Sequence, residues 1–510
     1  MERKKNMNQF IDEHSVSPDH YCKEKKFSSI KFKSEKSGLV QCYHHFKVEP
    51  NQTRKGTALL IHGYSCHTLA EYMNIVEKKE TEFNEINVSE NDCTQNNDPF
   101  NKSQFATSYN GSYIQYFNKK GYDVISLDLE GHGFSQGLKC NTENLDNNCF
   151  NIIQMLKIEL LKHSGDKNSE LQNFQLSSYC WNDENPTNYE LKYEEKGKID
   201  KENEFFLYSS KIHKVNVKDT TNNLKMKTCT HCSDSECCFK DTFGEKIIIC
   251  GISMGGAIAL RLAELIGQTC QEDNLDGFKD KSIVKCLRSR IVCIVLLSPM
   301  LSLESVKKKT LNRFMLPLLS ITSYLFPNLQ VGSRTNNPVC DYISSFSKND
   351  PLYYSRRTKA LMCKTLLNYT DLVRDNLHHY PIDIPLLICH CVHDTLTDFQ
   401  GSERTIHYFN QIIKEIQQCE SNENNIVSEF VLWPITCKKM WHILTRETGF
   451  QDLLEKILEW VSKKESSHEN KCKNIKRSGK NLNSELIFKS LRNKTFFKQN
   501  LNNKDIQVTS

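Results

Sequence analysis

One pentapeptide, Gly251-Ile252-Ser253-Met254-Gly255, limits what this chain can fold into more than any other stretch. Before it, Lys246-Ile247-Ile248-Ile249-Cys250 is a short apolar run that reads as a buried strand. After it, Gly256 to Ile266 places Ala257, Leu260, Leu262, Leu265 and Ile266 as the apolar positions of a helix. A strand that gives way to a helix over so few residues must turn sharply. The serine is then held in a strained backbone, and side chains at Gly251 or Gly255 would collide with neighbouring backbone. That context makes the motif a nucleophile elbow rather than a Gly-rich turn whose serine merely caps a helix.

The 510 residues have length for about two to four domains, but composition argues for fewer. Asn- and Lys-rich stretches interrupt the apolar segments and add little core. The 22 cysteines are scattered, and no apolar signal stretch precedes them, so free thiols and a cytoplasmic address are expected. The formal charge of +5 is concentrated: from Lys463 onward there are 12 basic and 4 acidic residues, which leaves the rest slightly acidic. A basic tail, not a basic fold, carries the charge, and no nucleic-acid partner is expected. No apolar span reaches the roughly 18 residues of a membrane helix. The longest candidate, Phe314 to Phe326, is short and contains Pro317.

Read in order, residues 1–26 are polar and expected to be disordered. Ile30-Lys31-Phe32 and Leu39 to Phe46 flank Ser37-Gly38 as a β-hairpin. Thr57 to Ile61 is a strand ending in His62-Gly63-Tyr64, and a helix is expected near Leu69 to Val76. A polar insertion loop follows over about 79–108. Asp123 to Leu127 is a strand, and Asn151 to Leu161 a helix. Residues 162–244, rich in Lys, Asn, Glu and Ser, read as a disordered insertion. Inside it, Cys229-Thr230-His231-Cys232 and Cys237-Cys238 have zinc-like spacing, but a chance cluster is the preferred reading in so cysteine-rich a chain. Ile291 to Leu297 is the most apolar strand. Several helices follow to about 380, then a strand at Pro385 to His390, a helix at Phe399 to Gln418, a strand at Val427 to Trp433 and a helix at Phe450 to Val461. This alternation predicts an α/β fold, with a mostly parallel sheet covered on both faces. A basic, disordered tail is expected over 462–510.

A serine hydroxyl needs a base, usually a histidine oriented by a carboxylate. On a sheet that carries a nucleophile elbow the chain order is serine, acid, histidine. Past Trp433 only His442 and His468 remain of the 17 histidines, and His468 lies beyond the final helix. His442 is therefore the base. For the acid, Asp394 follows the strand at Pro385 to His390, whereas Asp398 opens the next helix and suits an N-cap. Asp394 is preferred, and Asp383 lies at the wrong end of its strand. The oxyanion of an acyl-transfer intermediate needs two donors. The backbone N–H groups of Met254 and Tyr64 are assigned, with Gly63 allowing close approach.

Taken together, these segments resemble the monoacylglycerol lipase and lysophospholipase branch of the α/β-hydrolases. The resemblance rests on Leu60-Ile61-His62-Gly63, Asp128-Leu129-Glu130-Gly131-His132-Gly133-Phe134-Ser135, Gly251-Ile252-Ser253-Met254-Gly255-Gly256, His393-Asp394-Thr395-Leu396-Thr397-Asp398 and Trp441-His442. It covers roughly 27–78, 109–161 and 245–461, within one α/β-hydrolase domain over 27–461. The insertions and Asp350-Pro351-Leu352-Tyr353-Tyr354 look like the lysophospholipase-like proteins of malaria-type parasites. His390-Cys391 departs from the His-Gly more usual before the acid loop. The resemblance implies a helical cap over about 303–380. There Phe314, Met315, Leu316, Leu318, Leu319, Ile321, Tyr324 and Leu325 either line an acyl channel, meet a membrane surface, or bury the cap against the core. It also implies a serine esterase for single-chain acyl lipids, lysophospholipid or monoacylglycerol, that needs neither cofactor nor metal. Peripheral membrane contact through the cap or the basic tail is expected. The competing readings are a short-chain carboxylesterase and a catalytically silent binding protein of the same fold.

Overall fold

The computed structural model describes residues 17–78 except 23 and 26, 104–163, 177–179, 246–271, 281–331 except 309, 336–419 and 428–478. Its framework is one sheet in the order β11-β10-β9-β8-β3-β6-β2-β1-β7. The strands are β1 Ser28–Lys33, β2 Val40–Phe46, β3 Gly56–Ile61, β6 Tyr122–Asp128, β7 Ser177–Tyr179, β8 Ile247–Ile252, β9 Ile291–Leu297, β10 Leu386–Cys391 and β11 Phe430–Ile435. From β11 through β6 every neighbour is parallel, while β2, β1 and β7 close one edge antiparallel. Every residue of β3, β8, β9 and β10 is buried. That explains their largely apolar sequences, since both faces meet helices; the buried exceptions are Thr57 in β3 and His390 in β10. Pro434 lacks an N–H for the ladder and accordingly sits in β11, at the sheet edge.

Two clusters of buried side chains lie on the two faces. The first gathers the helix Met254–Gln271 with Asp146–His163, through residues such as Leu260, Ala263, Ile152 and Met155. The second gathers Tyr113–Lys119 with the final helix through Tyr113, Phe117, Leu454 and Leu458. A helix at Lys281–Arg290, without a counterpart in the sequence reading, leads into β9. Between β9 and β10 the described residues form the α-helices Glu304–Lys308, Thr310–Leu325, Asp341–Asn349 and Ala360–Asn376 and the 3-10 turn Leu377–His379. Among the described residues no helix is long and apolar enough to cross a membrane.

Several expectations need correction. Part of the N-terminal stretch has defined structure: Pro18–Tyr21 forms a 3-10 turn, and the buried Tyr21 hydroxyl donates to Asp350 Oδ1 at 2.6 Å. The helix expected near Leu69 to Val76 stops early, at Thr68–Tyr72. Asn74–Glu77 is instead strand β4, paired antiparallel with β5 at Phe105–Ser108, the last residues of the expected loop. Ile75 and Val76, β-branched and opposite Thr107 and Ala106, suit a strand better than a helix. Ser177–Tyr179, inside the expected insertion, pairs with the exposed edge of β1. The tail does not begin at Ser462, because the final helix runs Phe450–Ser478. Glu465 and Glu469 hold Lys246, and Lys464 pairs with Glu429, so charges that look solvated in sequence tie this helix to the sheet. The Cys229–Cys238 cluster, residues 1–16 and residues 479–510 lie outside the described residues.

The apolar cap residues divide. Leu316 and Leu319 pack on the core, while Leu318, Ile321, Tyr324 and Leu325 are exposed, Tyr324 to 85%. The side chains of Phe314 and Met315 lie outside those described.

Candidate active site

The parallel strands deliver four loops to one end of the sheet, the carboxyl end where such sheets bind ligands. Ser253 follows β8 directly, with φ of +55°, the left-handed region that costs a non-glycine residue free energy. Its N–H donates to Leu297 O and its carbonyl accepts the Met300 N–H, each at 2.9 Å, so the strained turn is pinned to the end of β9 and the loop beyond it. A Cβ at Gly255 would overlap the carbonyl oxygens of Ile61 and His62. Only glycine lets the helix start this close to β3.

Asp394 lies three residues beyond β10 with its carboxylate fully buried. Oδ1 accepts the N–H groups of Leu396 (2.7 Å) and Thr397 (3.1 Å), while Oδ2 accepts the Thr397 hydroxyl at 2.8 Å. His390 Nε2 stands 3.3 Å from the same oxygen. Burial pushes this carboxyl up, but His442 and His390 prevail and hold it well below the usual carboxylate range. His442, in the loop after β11, completes the chain: Nδ1 lies 2.6 Å from Asp394 Oδ2 and Nε2 lies 3.0 Å from Ser253 Oγ. With the Nδ1 proton donated to Asp394, Nε2 is left to accept from the serine. Burial draws this imidazole down, yet Asp394, then Glu447 and Glu71, raise it above the ordinary histidine value.

Tyr64 lies three residues beyond β3, and Met254 opens the helix after Ser253. Among the described residues neither backbone N–H has an intramolecular acceptor. For Met254 this is the ordinary state of a first helical residue. Near Tyr64, a Cβ on Gly63 would come within 3.4 Å of Ser253 Cβ, so the loop passes directly beside the serine. His62 steadies that loop, its Nε2 accepting the Leu129 N–H at 2.9 Å. The structure thus brings Ser253, Asp394 and His442 into one hydrogen-bonded chain, with Tyr64 and Met254 in the adjoining turns.

Asp398 does something other than cap its own helix, Phe399–Cys419. Its carboxylate accepts from Ser302 Oγ at 2.8 Å and from both the N–H (3.0 Å) and hydroxyl of Ser305, tethering the first turn of the cap. Sequence reasoning also passed over His390, Thr397 and Glu447. Thr397, three residues after an aspartate, carries the spacing of a local turn in which the two side chains meet. The other two are visible only once the strands are assembled.

The fold is that of the α/β-hydrolases. Two family models match parts of the chain: one described as serine aminopeptidase, S33, over residues 281–422, and one described as alpha/beta hydrolase fold, over 105–314. Neither match reaches half of the 510 residues. No curated protein matches its sequence. Among solved structures, a soluble variant of monoglyceride lipase from Saccharomyces cerevisiae, in complex with a substrate analogue, is 12% identical. That alignment covers 84% of this chain and 92% of the other, with a TM-score of 0.45. The monoacylglycerol lipase of Paleococcus ferrophilus is 13% identical over 83% and 99%, TM-score 0.41. A thermostable carboxyl esterase from Bacillus coagulans, in complex with glycerol, is 11% identical over 86% and 98%, TM-score 0.44.

Proposed function

We propose that the protein is a serine esterase that cleaves single-chain acyl lipids, lysophospholipids or monoacylglycerols, through an acyl-enzyme on Ser253. The observation that carries this is the chain from Asp394 through His442 to Ser253, at 2.6 and 3.0 Å, on a strained and only half-buried serine. Ser253 Oγ attacks the ester carbonyl carbon as His442 Nε2 takes its proton. The carbonyl oxygen becomes an oxyanion that accepts from the Tyr64 and Met254 N–H groups. Collapse expels the alcohol, which takes the proton from His442. Water then attacks the acyl-enzyme with the same base, releasing the fatty acid and restoring the serine.

Lipid substrates are supported by the cap. A groove of about 620 Å³ runs between residues 143–145 and two cap helices; Leu145, Tyr324, Leu361, Tyr369 and Leu372 share its walls with Glu143, Asn144, Ser323, Lys364, Thr365 and Asn368, and Ser253 is not among them. Exposed Leu318, Ile321 and Leu325 beside it suit contact with a membrane surface, so a peripheral address inside the cell belongs to the same proposal. Kinship with the parasite lysophospholipase-like proteins rests on the shared motifs and insertions alone.

The test is a fluorophosphonate label on purified protein, located by mass spectrometry, followed by an acyl-length series on lysophosphatidylcholine and monoacylglycerol. Labelling at Ser253 with turnover that rises toward long chains is expected. A maximum at short chains would make the protein a short-chain carboxylesterase. No label on Ser253 would make it a binding protein of this fold.

A further inference from the structure

The loop that carries His442 is held from below by a carboxylate, Glu447, five residues further along. Glu447 is fully buried, and among the described residues it forms no ion pair. Its charge is met by N–H groups instead. One or both oxygens accept the backbone N–H of Trp441 (2.6 Å), of His442 (3.2 Å to each oxygen) and of Ile443 (3.0 Å). A further donor comes from the cap: Asn337 Nδ2 reaches Oε1 at 2.7 Å. Asn337 is itself fixed, because its Oδ1 accepts the N–H groups of Val339 and Cys340, each at 2.9 Å. A carboxylate offers about four lone-pair sites, and these donors occupy them.

We propose that Glu447 is a positioning residue for His442, clamping the histidine loop through three consecutive backbone N–H groups, and that Asn337 ties this clamp to the cap. The proposal rests on the reading of His442 as the general base. A glutamine could not do the same work. It has one acceptor oxygen, and its NH2 would face N–H groups, so at least one of the three donors would be left buried and unmet. The imidazole would then lose its fixed distance to Ser253, and a misplacement of about 1 Å costs on the order of 100-fold in rate. The clamp also acts through charge. The groups facing the His442 ring are Asp394 at Nδ1, with His390 beyond it, and Glu447 and Glu71 behind, the latter with Arg446 3.6 Å from its Oε1. Removing the Glu447 charge subtracts one of the influences that favour the protonated ring.

Glu447→Gln is expected to lower kcat on a small soluble ester by about 10- to 100-fold, with KM little changed. The acid limb of kcat/KM should move to lower pH, a change that loss of packing alone would not produce. Glu447→Asp keeps the charge with a shorter reach, so its limb should stay in place while kcat falls. Asn337→Ala leaves the carboxylate and should cost only several-fold, again with an unmoved limb. If Glu447→Gln does not fold, the other two variants carry the test, and wild-type kcat in both would overturn the proposal. A second readout is independent of turnover. In a Ser253→Ala background, proton NMR can follow the low-field Nδ1–H that His442 shares with Asp394, assigned by its loss in His442→Gln. Glu447→Gln should lower the pH at which this resonance titrates and broaden it. An unchanged titration, or kcat/KM within twofold of wild type at an unmoved limb, would sink the idea. Absence of hydrolysis and of a Ser253 label in the wild type would instead overturn the esterase reading, and the NMR titration would still decide the role of Glu447.

Discussion

Two chains of serine, histidine and aspartate among the described residues are built alike and surrounded differently. One joins Ser253, His442 and Asp394 at the carboxyl end of the parallel strands. The other joins Ser29, His44 and Asp128 across β1, β2 and β6, with Ser29 Oγ 2.8 Å from His44 Nδ1 and His44 Nε2 3.2 Å from Asp128 Oδ2. Their chemistry differs because their backbones and surroundings differ. Ser29 lies within a regular strand and is buried with its partners, whereas Ser253 stands on a left-handed turn and is half open. Asp128 also spends its oxygens on structure, accepting the N–H groups of Thr68 and Phe134 at 2.9 Å each. A triad is therefore not a list of residue types. It requires a nucleophile that substrate can reach and donors waiting for the charge that develops.

The largest expected difference between the two chains lies in turnover. Ser253→Ala should lower kcat by about 10⁴- to 10⁶-fold without moving the unfolding temperature. Retention of a tenth of wild-type activity would remove Ser253 from the mechanism. Next comes the pair of acids. Asp394→Asn should cost about 10³- to 10⁴-fold in turnover with the fold intact, since the amide neither stabilises the imidazolium nor favours the right tautomer. Asp128→Asn should do the reverse, destabilising by about 1–3 kcal/mol because the buried donors of Thr68 and Phe134 lose a charged acceptor, while each folded molecule turns over normally. Chemical denaturation and active-site titration on the same samples separate the two effects. Asp398→Asn, which loosens a cap tether rather than the base, should stay within about tenfold of wild type in kcat. Equal crippling of the Asp394 and Asp398 variants would break the assignment of the acid.

The pH profile sharpens the comparison further. In the proposed mechanism His442 reacts in its neutral form, and its raised pKa keeps it protonated to higher pH than an ordinary histidine. The acid limb of kcat/KM is therefore expected above about 6.5, the ordinary histidine value. Asp128→Asn should leave that limb in place. A limb below 6 would mean that burial, not Asp394, dominates the imidazole. The smallest effect is expected at Ser29→Ala, which removes one buried hydrogen bond, about 1 kcal/mol of stability and no turnover.

The elbow, the strands and the order of the triad were legible because each is written locally, as a glycine spacing or an apolar run, and the fold permits one order. Asp394 could be chosen over Asp398 because only it lies close beyond a strand. What escaped was defined by distant partners. Tyr21 is anchored by Asp350, more than 300 positions away, and β7 forms on three residues because β1 offers an unpaired edge. Glu447 shows no special pattern, since its partners are backbone groups that any sequence supplies. The helix past Ser462 looks like a polar tail until Lys246 and Glu429 are placed beside it.

The direction of β8 has a consequence for how the protein tolerates added length. The strand begins beside Lys246 and ends at Ser253, so about 20 Å separates its entrance from that serine. The long stretch between His163 and Lys246 is spliced in at the entrance. Chain added there lengthens the covalent route to the serine without altering the spacing of the reacting groups. The segment between β9 and β10 leaves at the other end, where Asn337 and Asp398 bind it to the histidine and acid loops. Foreign sequence grafted into the first interval should behave as cargo; grafted into the second, it becomes part of the instrument.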